Sequence, residues 1–274
     1  VSSVSIGVYR VSSYLREGDV VLVYIDEKRR FIVKLTRGKI LGTDRGYLSH
    51  DDLIGLSYGS AVKTSSGVQA YLFKPLRHDY VHSIARFTQV IYPKDAALMI
   101  HLSGIGCGSR VGEAGVGSGA LSIAIASIIG DSGRLYGYDV SERALKVTRE
   151  NLERAGLLHR VILSKRDVRD GLDVESLDAF FLDIPDPWNA IKSVSRALAP
   201  SAPLLAYVPT VNQVEKTVLA LRESGVFQDI HVYEVLLREY SIEKDAVRPK
   251  TKMIGHTGYI IFARRTLLVS SNNI

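Results

Sequence analysis

What most constrains the fold of this 274-residue chain is the run Arg110-Val-Gly-Glu-Ala-Gly-Val-Gly-Ser-Gly-Ala-Leu-Ser122. Gly115, Gly117 and Gly119 recur at every second position, between a short apolar stretch, Arg110 to Ala114, and a longer one, Ala120 to Ile129. The first reads as a buried strand, the second as a helix. A strand, a glycine-rich turn and a helix together let backbone N–H groups and a helix N-terminus come close to a ligand. A lone glycine motif also fits a turn that only closes the backbone, so residues further along must discriminate.

Arg134-Leu-Tyr-Gly-Tyr-Asp139 reads as a second strand ending in an acid. An acid about 20 residues past the glycines is where nucleotide folds place a carboxylate on ribose hydroxyls. Two ligand classes fit. Gly115, Gly117 and Ala120 satisfy the G-x-G-x-x-G/A of dinucleotide enzymes. Glu113, Gly115, Gly117 and Gly119 satisfy the acid-x-G-x-G-x-G of S-adenosylmethionine (SAM) methyltransferases. Glu113 favours the second, because a carboxylate there repels a pyrophosphate and tolerates the cationic methionine end of SAM.

The 46% hydrophobic content is enough for a real core, and the net charge of +6 either favours an anionic partner or describes a slightly basic soluble protein. Cys107 is the only cysteine. An intrachain disulfide and a cysteine zinc cluster are therefore excluded, and a reducing, cytoplasmic setting is expected. The first residues lack a basic region followed by an apolar core, so no signal peptide is expected. Ala120 to Ile129 is too short to span a bilayer.

Residues from about Gly18 to Lys74 read as a small all-β unit, sandwich or barrel, with short strands at Val20–Ile25, Phe31–Thr36, Ala61–Thr64 and Gln69–Phe73. Lys28, Arg29 and Arg30 fall in its first hairpin turn, as a solvated loop or a nucleic-acid contact. Helices are expected over Leu76 to Phe87 and from Pro93 to Leu102, both covering the second domain. Taken alone, Tyr92 reads as a core residue in the entry turn of the latter. The domains are residues 1–76 and 77–274. From residue 110 to 224 strands and helices alternate, as in a doubly wound, mostly parallel sheet. Two closing strands, Ile230–Glu239 and Gly258–Ala263, read as an antiparallel hairpin.

Ligands in such sheets bind beyond the carboxyl ends of the strands. Glu113, Asp139, Asp167 and Asp183 all fall at such ends. Asp139 suits the ribose and Asp167 the adenine amine. Asp183-Ile-Pro-Asp-Pro-Trp188 follows a buried strand with two prolines, an acid and the only tryptophan. It reads as a rigid loop with Trp188 plugging a core edge, or as a pocket for a planar base.

These segments resemble the tRNA (adenine-58) N1-methyltransferases of the single-subunit archaeal and bacterial group. The resemblance runs through His50-Asp-Asp-Leu-Ile-Gly55, Thr88-Gln-Val-Ile-Tyr-Pro-Lys-Asp-Ala96, the glycine motif, Asp183 to Trp188, Tyr207-Val-Pro-Thr210 and Gly255-His-Thr-Gly-Tyr259. It implies a class I methyltransferase fold, methylation of N1 of adenine in the tRNA T-loop, sometimes at position 57 as well, and a homotetramer. It implies a SAM site of Gln89, Glu113, Gly115, Gly117, Ser118, Gly119, Asp139, Asp167 and Asp183. It implies a target-base pocket of Asp183, Tyr92, Tyr207 and His256, with no metal. Gly112 departs from the family's bulkier residue, which is expected to loosen strand packing, and Asp139 stands where many members carry Glu. tRNA phosphates are expected on Lys28, Arg29 and Arg30 and on Lys244, Arg248, Lys250, Lys252, Arg264 and Arg265. The competing readings are an NAD-type oxidoreductase, a non-catalytic tRNA-binding subunit and a small-molecule methyltransferase. The first leaves Glu113 and the proline-rich loop unexplained; the intact glycines and Asp183 oppose the second; the third has no use for the basic β domain.

Overall fold

Alternating apolar residues build the N-terminal unit. The chain divides into Val1–Ser83 and Ile84–Ile274, and the computed structural model describes residues 14–83 and 90–267. Strands β1 (Val20–Asp26), β2 (Arg29–Lys34), β5 (Ala61–Lys63) and β6 (Gln69–Phe73) form an antiparallel sheet ordered β2-β1-β6-β5. Between them in the chain come the hairpin β3 (Ile40–Thr43) and β4 (Gly46–Ser49) and the short helix α1 (His50–Leu53). Val21, Val23, Leu35, Leu53, Ala70 and Leu72 close the core. Helix α2 (Arg77–Ser83) belongs to this unit rather than to the second domain, so the division falls after Ser83 and not at residue 76. The reason is electrostatic. Asp79 is buried, and Arg30 on β2 meets its carboxylate at 2.6 Å.

In the second unit helix α3 (Pro93–Ser103) leads into β7 (Arg110–Ala114), α4 (Ala120–Ile129), β8 (Arg134–Asp139), α5 (Glu142–Arg154) and β9 (Val161–Lys165). Then follow β10 (Ala179–Leu182), α6 (Ile191–Ala197), β11 (Pro203–Val208), α7 (Val211–Glu223), β12 (Phe227–Tyr233), the hairpin β13 (Tyr240–Glu243) and β14 (Ala246–Pro249), and β15 (Tyr259–Arg265). The sheet order is β12-β15-β11-β10-β7-β8-β9. β7 to β11 are parallel, and β15 runs antiparallel between β11 and β12. The chain moves outward from β7 to β9 and then crosses to β10 on the other side of β7. That reversal opens a crevice at the ends of β7 and β10, the place where such sheets hold ligands.

Three expectations change. The strand expected over Ile230–Glu239 ends at Tyr233, after a register shift between Gln228 and His231, and the β13–β14 hairpin occupies the connection to β15. The expected alternation of strand and helix is interrupted after β10 by a 3-10 turn over Pro187–Ala190, ahead of α6. Gly112 does not loosen the sheet. A Cβ there would lie 2.3 Å from Phe180 Cδ2, so the fully buried Phe180 on β10 fills the missing volume.

Candidate active site

The glycine turn is held from three directions. Gly115 has a left-handed φ of +83°, and a Cβ on it would lie 2.0 Å from the Asp183 carbonyl oxygen, so β7 can end beside β10 only without a side chain. Asp139 at the end of β8 accepts from Gly117 N at 3.1 Å and from Ser141 N at 2.9 Å. On α5, Thr148 donates to the Gly117 carbonyl at 3.0 Å and Asn151 to that of Ser118 at 2.9 Å. Thr148 and Asn151 were legible only as helix residues; neither stands in the glycine motif whose geometry they fix.

Two cavities open on this turn. The first, about 450 Å³, runs from Gly115 past Asp139 and Val140 to Asp167, Val168 and Arg169, and is closed by Asp183 to Asp186. Its size is that of a small-molecule site. The Arg169 guanidinium binds Asp167 at 2.8 and 3.0 Å and holds that carboxyl below the usual carboxylate range. Its other arm reaches Asp186 at 2.7 Å, tying the proline-rich loop to the rim.

The second cavity, about 570 Å³, is lined by Tyr92, Tyr207, Pro209, Gln213, His256 and Thr257 among others. Gly115, Asp139, Asp183, Ile184 and Pro185 line both cavities. Asp183 is therefore part of the partition. Burial, and secondly the charge of Asp139, push its carboxyl up to about 7. Gln213 steadies the partition by donating to the Pro185 carbonyl at 2.8 Å.

A buried polar cluster holds the far wall. Asp95, fully buried on α3, pairs with Lys94 Nζ at 2.8 Å and accepts from Thr257 Oγ1 at 2.8 Å and Tyr207 Oη at 3.3 Å. Lys94 also donates to Thr257 Oγ1 and to the Val235 carbonyl, each at 2.7 Å. Gly258 lets the backbone pass the Tyr207 ring, since a Cβ would lie 2.4 Å from Cζ. His256 holds Glu234 through Nδ1 at 2.6 Å and the Pro209 carbonyl through Nε2 at 2.8 Å. The carboxylate first, and then the carbonyl, raise its pKa. An acceptor at each nitrogen favours the protonated ring, and the two contacts brace the wall.

Of the residues singled out from sequence, Gly115, Asp139, Asp167 and Asp183 line the first cavity, and Tyr92, Tyr207, His256 and Asp183 the second. Tyr92 is 40% exposed and so is not a core residue. Gly117 and Gly119 shape the turn, while Ser118 is buried beneath it. Gln89 lies outside the described residues. Glu113 lines neither of these two cavities. It is buried and accepts from Ser122 Oγ at 2.6 Å; burial, opposed by that bond, raises its pKa to about 8. Trp188 stands outside both cavities, with Lys216 Nζ 5.1 Å from its ring centroid, so it stiffens the loop instead of facing a base. Arg29 is tied to Asp26 and Asp44, Arg30 to Asp79 and Lys250 to Glu239, while Arg264 and Arg265 bind Ser201 and the Leu198 carbonyl. Of the cations expected on phosphate, Lys28 stays exposed at the first turn, and Lys244, Arg248 and Lys252 stay exposed on and beside the β13–β14 hairpin. Among the described residues no group of side chains has a metal-binding arrangement, and no helix is long and apolar enough to cross a membrane.

Comparison with known proteins places these features in a family. Residues 69–248 match the family model described as tRNA methyltransferase complex GCD14 subunit, and residues 14–62 match TrmI-like N-terminal. The tRNA (adenine(57)-N(1)/adenine(58)-N(1))-methyltransferase TrmI of Methanocaldococcus jannaschii is 35% identical over 88% of this chain and 93% of its own. A Thermotoga maritima structure described as a SAM-dependent O-methyltransferase superposes with a TM-score of 0.87 at 34% identity, covering 96% of this chain and 98% of that one. The tRNA (m1A58) methyltransferase TrmI of Aquifex aeolicus gives a TM-score of 0.78 at 28% identity, covering 93% and 99%.

Proposed function

The chain belongs to the tRNA methyltransferase complex GCD14 subunit family, and from that membership we propose that it methylates N1 of adenine 58 in the T-loop of tRNA with SAM as donor. Adenine 57 is a second acceptor where the tRNA carries one, as in the name of the Methanocaldococcus relative. A cytoplasmic setting goes with that substrate. The observation that carries the reading is the pair of cavities with one partition, Asp183 to Pro185. One chamber suits a nucleoside-sized donor and the other a planar base.

The first cavity fits SAM on its own evidence. Gly115 lets the turn pack against the Asp183 carbonyl and still line the cavity, and Asp139 and Asp167 offer carboxylates to ribose hydroxyls and to an adenine amine. SAM supplies an electrophilic methyl group on a sulfonium. The remaining work falls to the protein. Adenine N1 carries a free lone pair, so no base is required before attack, but the methylated ring is cationic. Asp183 accepts a hydrogen bond from the adenine N6 amine, which orients N1 and offsets the positive charge that spreads onto N6. The T-loop adenine must be extruded from tRNA structure to reach the cavity. Tyr92 and Tyr207 flank it there, Tyr207 held in place by Asp95.

The test is methylation of an unmodified tRNA transcript with labelled SAM, followed by mapping of the modified position. N1-methyladenosine at position 58 is expected, and at 57 when that base is adenine. Methyl groups on ribose oxygens or on small-molecule hydroxyls would overturn the reading in favour of O-methyl transfer. We also propose the homotetramer of the resemblance. The β13–β14 arm leaves Tyr240, Ile242 and Val247 exposed at 55%, 80% and 67%, more apolar surface than a lone chain usually presents. Light scattering should give four times the chain mass, and a monomer mass would rule the assembly out.

A further inference from the structure

The outward face of the sheet in the N-terminal unit carries groups that the chemistry above does not use. Successive residues of a strand point to opposite faces, and Val21, Val23, Ala70 and Leu72 form the inward set. On the opposite face Leu22 is buried and Arg30 is held by Asp79 of α2, while Tyr71 and Phe73 stay open. Arg30, Tyr24 and Tyr71 lie in one row across β2, β1 and β6, with Phe73 in the next row beside Leu22. Tyr71 and Phe73 are 36% and 40% exposed, and their rings lie within 5° of parallel at 6.0 Å. The Tyr24 ring is 5.9 Å from that of Phe73, and the Arg30 guanidinium sits 5.6 Å from the Tyr24 centroid. Gln69 fixes the Tyr71 hydroxyl at 2.8 Å.

Exposed lysines frame this ladder. Lys63 lies opposite Gln69 on β5, Lys34 is on β2, and Lys74 follows Phe73. The nearby acids are already engaged, Asp26 with Arg29 and Asp79 with Arg30. Aromatic faces left open to solvent inside a positive frame match one kind of partner, a flexible polyanion carrying flat rings.

We propose that this face binds unpaired nucleotides of RNA, with bases stacked on Tyr71 and Phe73 and phosphates met by Lys34, Lys63 and Lys74. The proposal rests on the tRNA reading only for the source of the strand. The face gives the enzyme a hold on single-stranded RNA in addition to the chamber for the target base, and it is tolerant of sequence because every base has a π-face.

The test uses the full chain and a fluorescent, mixed-sequence, single-stranded RNA of about 12 nucleotides, within the usual span of such surfaces. The double variant Tyr71→Ala, Phe73→Ala should bind this RNA roughly ten- to a hundredfold more weakly, with SAM affinity and melting temperature unchanged. Tyr71→Phe keeps the flat ring and should bind as the wild type does. Lys34→Gln with Lys63→Gln should lower the slope of log affinity against log salt by about 1.4, two phosphates' worth. Undiminished RNA binding in the double alanine variant would overturn the proposal, and an accompanying change of mass in solution would assign the face to a second copy of the chain. The two readings fail separately. A chain that methylates adenine 58 while the double alanine variant binds RNA normally loses only this face. A chain that binds the RNA through Tyr71 but leaves adenine 58 unmethylated loses only the tRNA reading.

Discussion

Asp183→Ala is expected to slow methyl transfer at saturating tRNA and SAM by at least about a hundredfold, the usual loss when one preorganised charge-stabilising contact is removed. tRNA affinity should be nearly unchanged, because phosphate contacts dominate the affinity of proteins for nucleic acids. Some weakening of SAM binding is expected, since Asp183 also lines the first cavity. Single-turnover methylation measures the effect, and a variant retaining near-wild-type rate would remove Asp183 from the mechanism. The same contact predicts a pH dependence. Burial and then Asp139 hold the Asp183 carboxyl at about 7. The ionised form is the one that accepts from N6, and it gains population as pH rises through that value. The wild-type rate should therefore climb from mildly acidic to mildly alkaline pH and then level off. Asp183→Asn should be slow and flat across the range. A rate that falls as pH rises would mean that the protonated acid is the working form.

Gly115→Ala should have an effect of comparable size by a different route. The added Cβ would stand 2.0 Å from the Asp183 carbonyl oxygen and 3.2 Å from Ile184 Cγ2, at a φ of +83°. Backbone cannot swing aside as a side-chain tip can, so the β7 and β10 ends must separate and the partition moves with them. The left-handed conformation alone costs about 1–2 kcal/mol for a residue with a Cβ. We expect SAM binding to fall below detection by calorimetry and the melting temperature to drop by several degrees. Gly106→Ala is the control, because nothing lies within 4 Å of its Cβ. Wild-type SAM affinity in Gly115→Ala would place the donor site elsewhere.

The parallel sheet was legible because its strands are short, apolar and separated by helices; the structure adds that Ser141 and Thr210 cap α5 and α7, accepting from Ala144 N and Gln213 N. The acids at strand ends followed from the same pattern. What could not be read was direction. Glu113 and Ser118 stand in the motif yet are buried, Glu113 against Ser122 on α4. Trp188 was ambiguous for the same reason, as a loop's sequence does not say which side of the loop faces a cavity. Charge was legible only as a sum. That Arg29 and Arg30 already have carboxylate partners depends on Asp44 and Asp79, the latter 49 positions from Arg30. The β13–β14 hairpin escaped because its four-residue strands are almost wholly exposed and carry no buried face to set a pattern.

The two chambers differ in how much of the chain must exist before each can form. The first is walled by residues between Ala114 and Asp186, a contiguous portion of the half-sheet. The second needs Val90 to Tyr92 at one end and Ile254 to Thr257 at the other, locked by a Lys94–Thr257 bond between positions 163 apart. The residues of the donor site are therefore all joined before β11 is made, whereas the acceptor chamber draws on both ends of the second unit. The acceptor chamber closes only when Ile254 to Thr257 have been delivered, just ahead of the strand that joins β12 to the rest of the sheet.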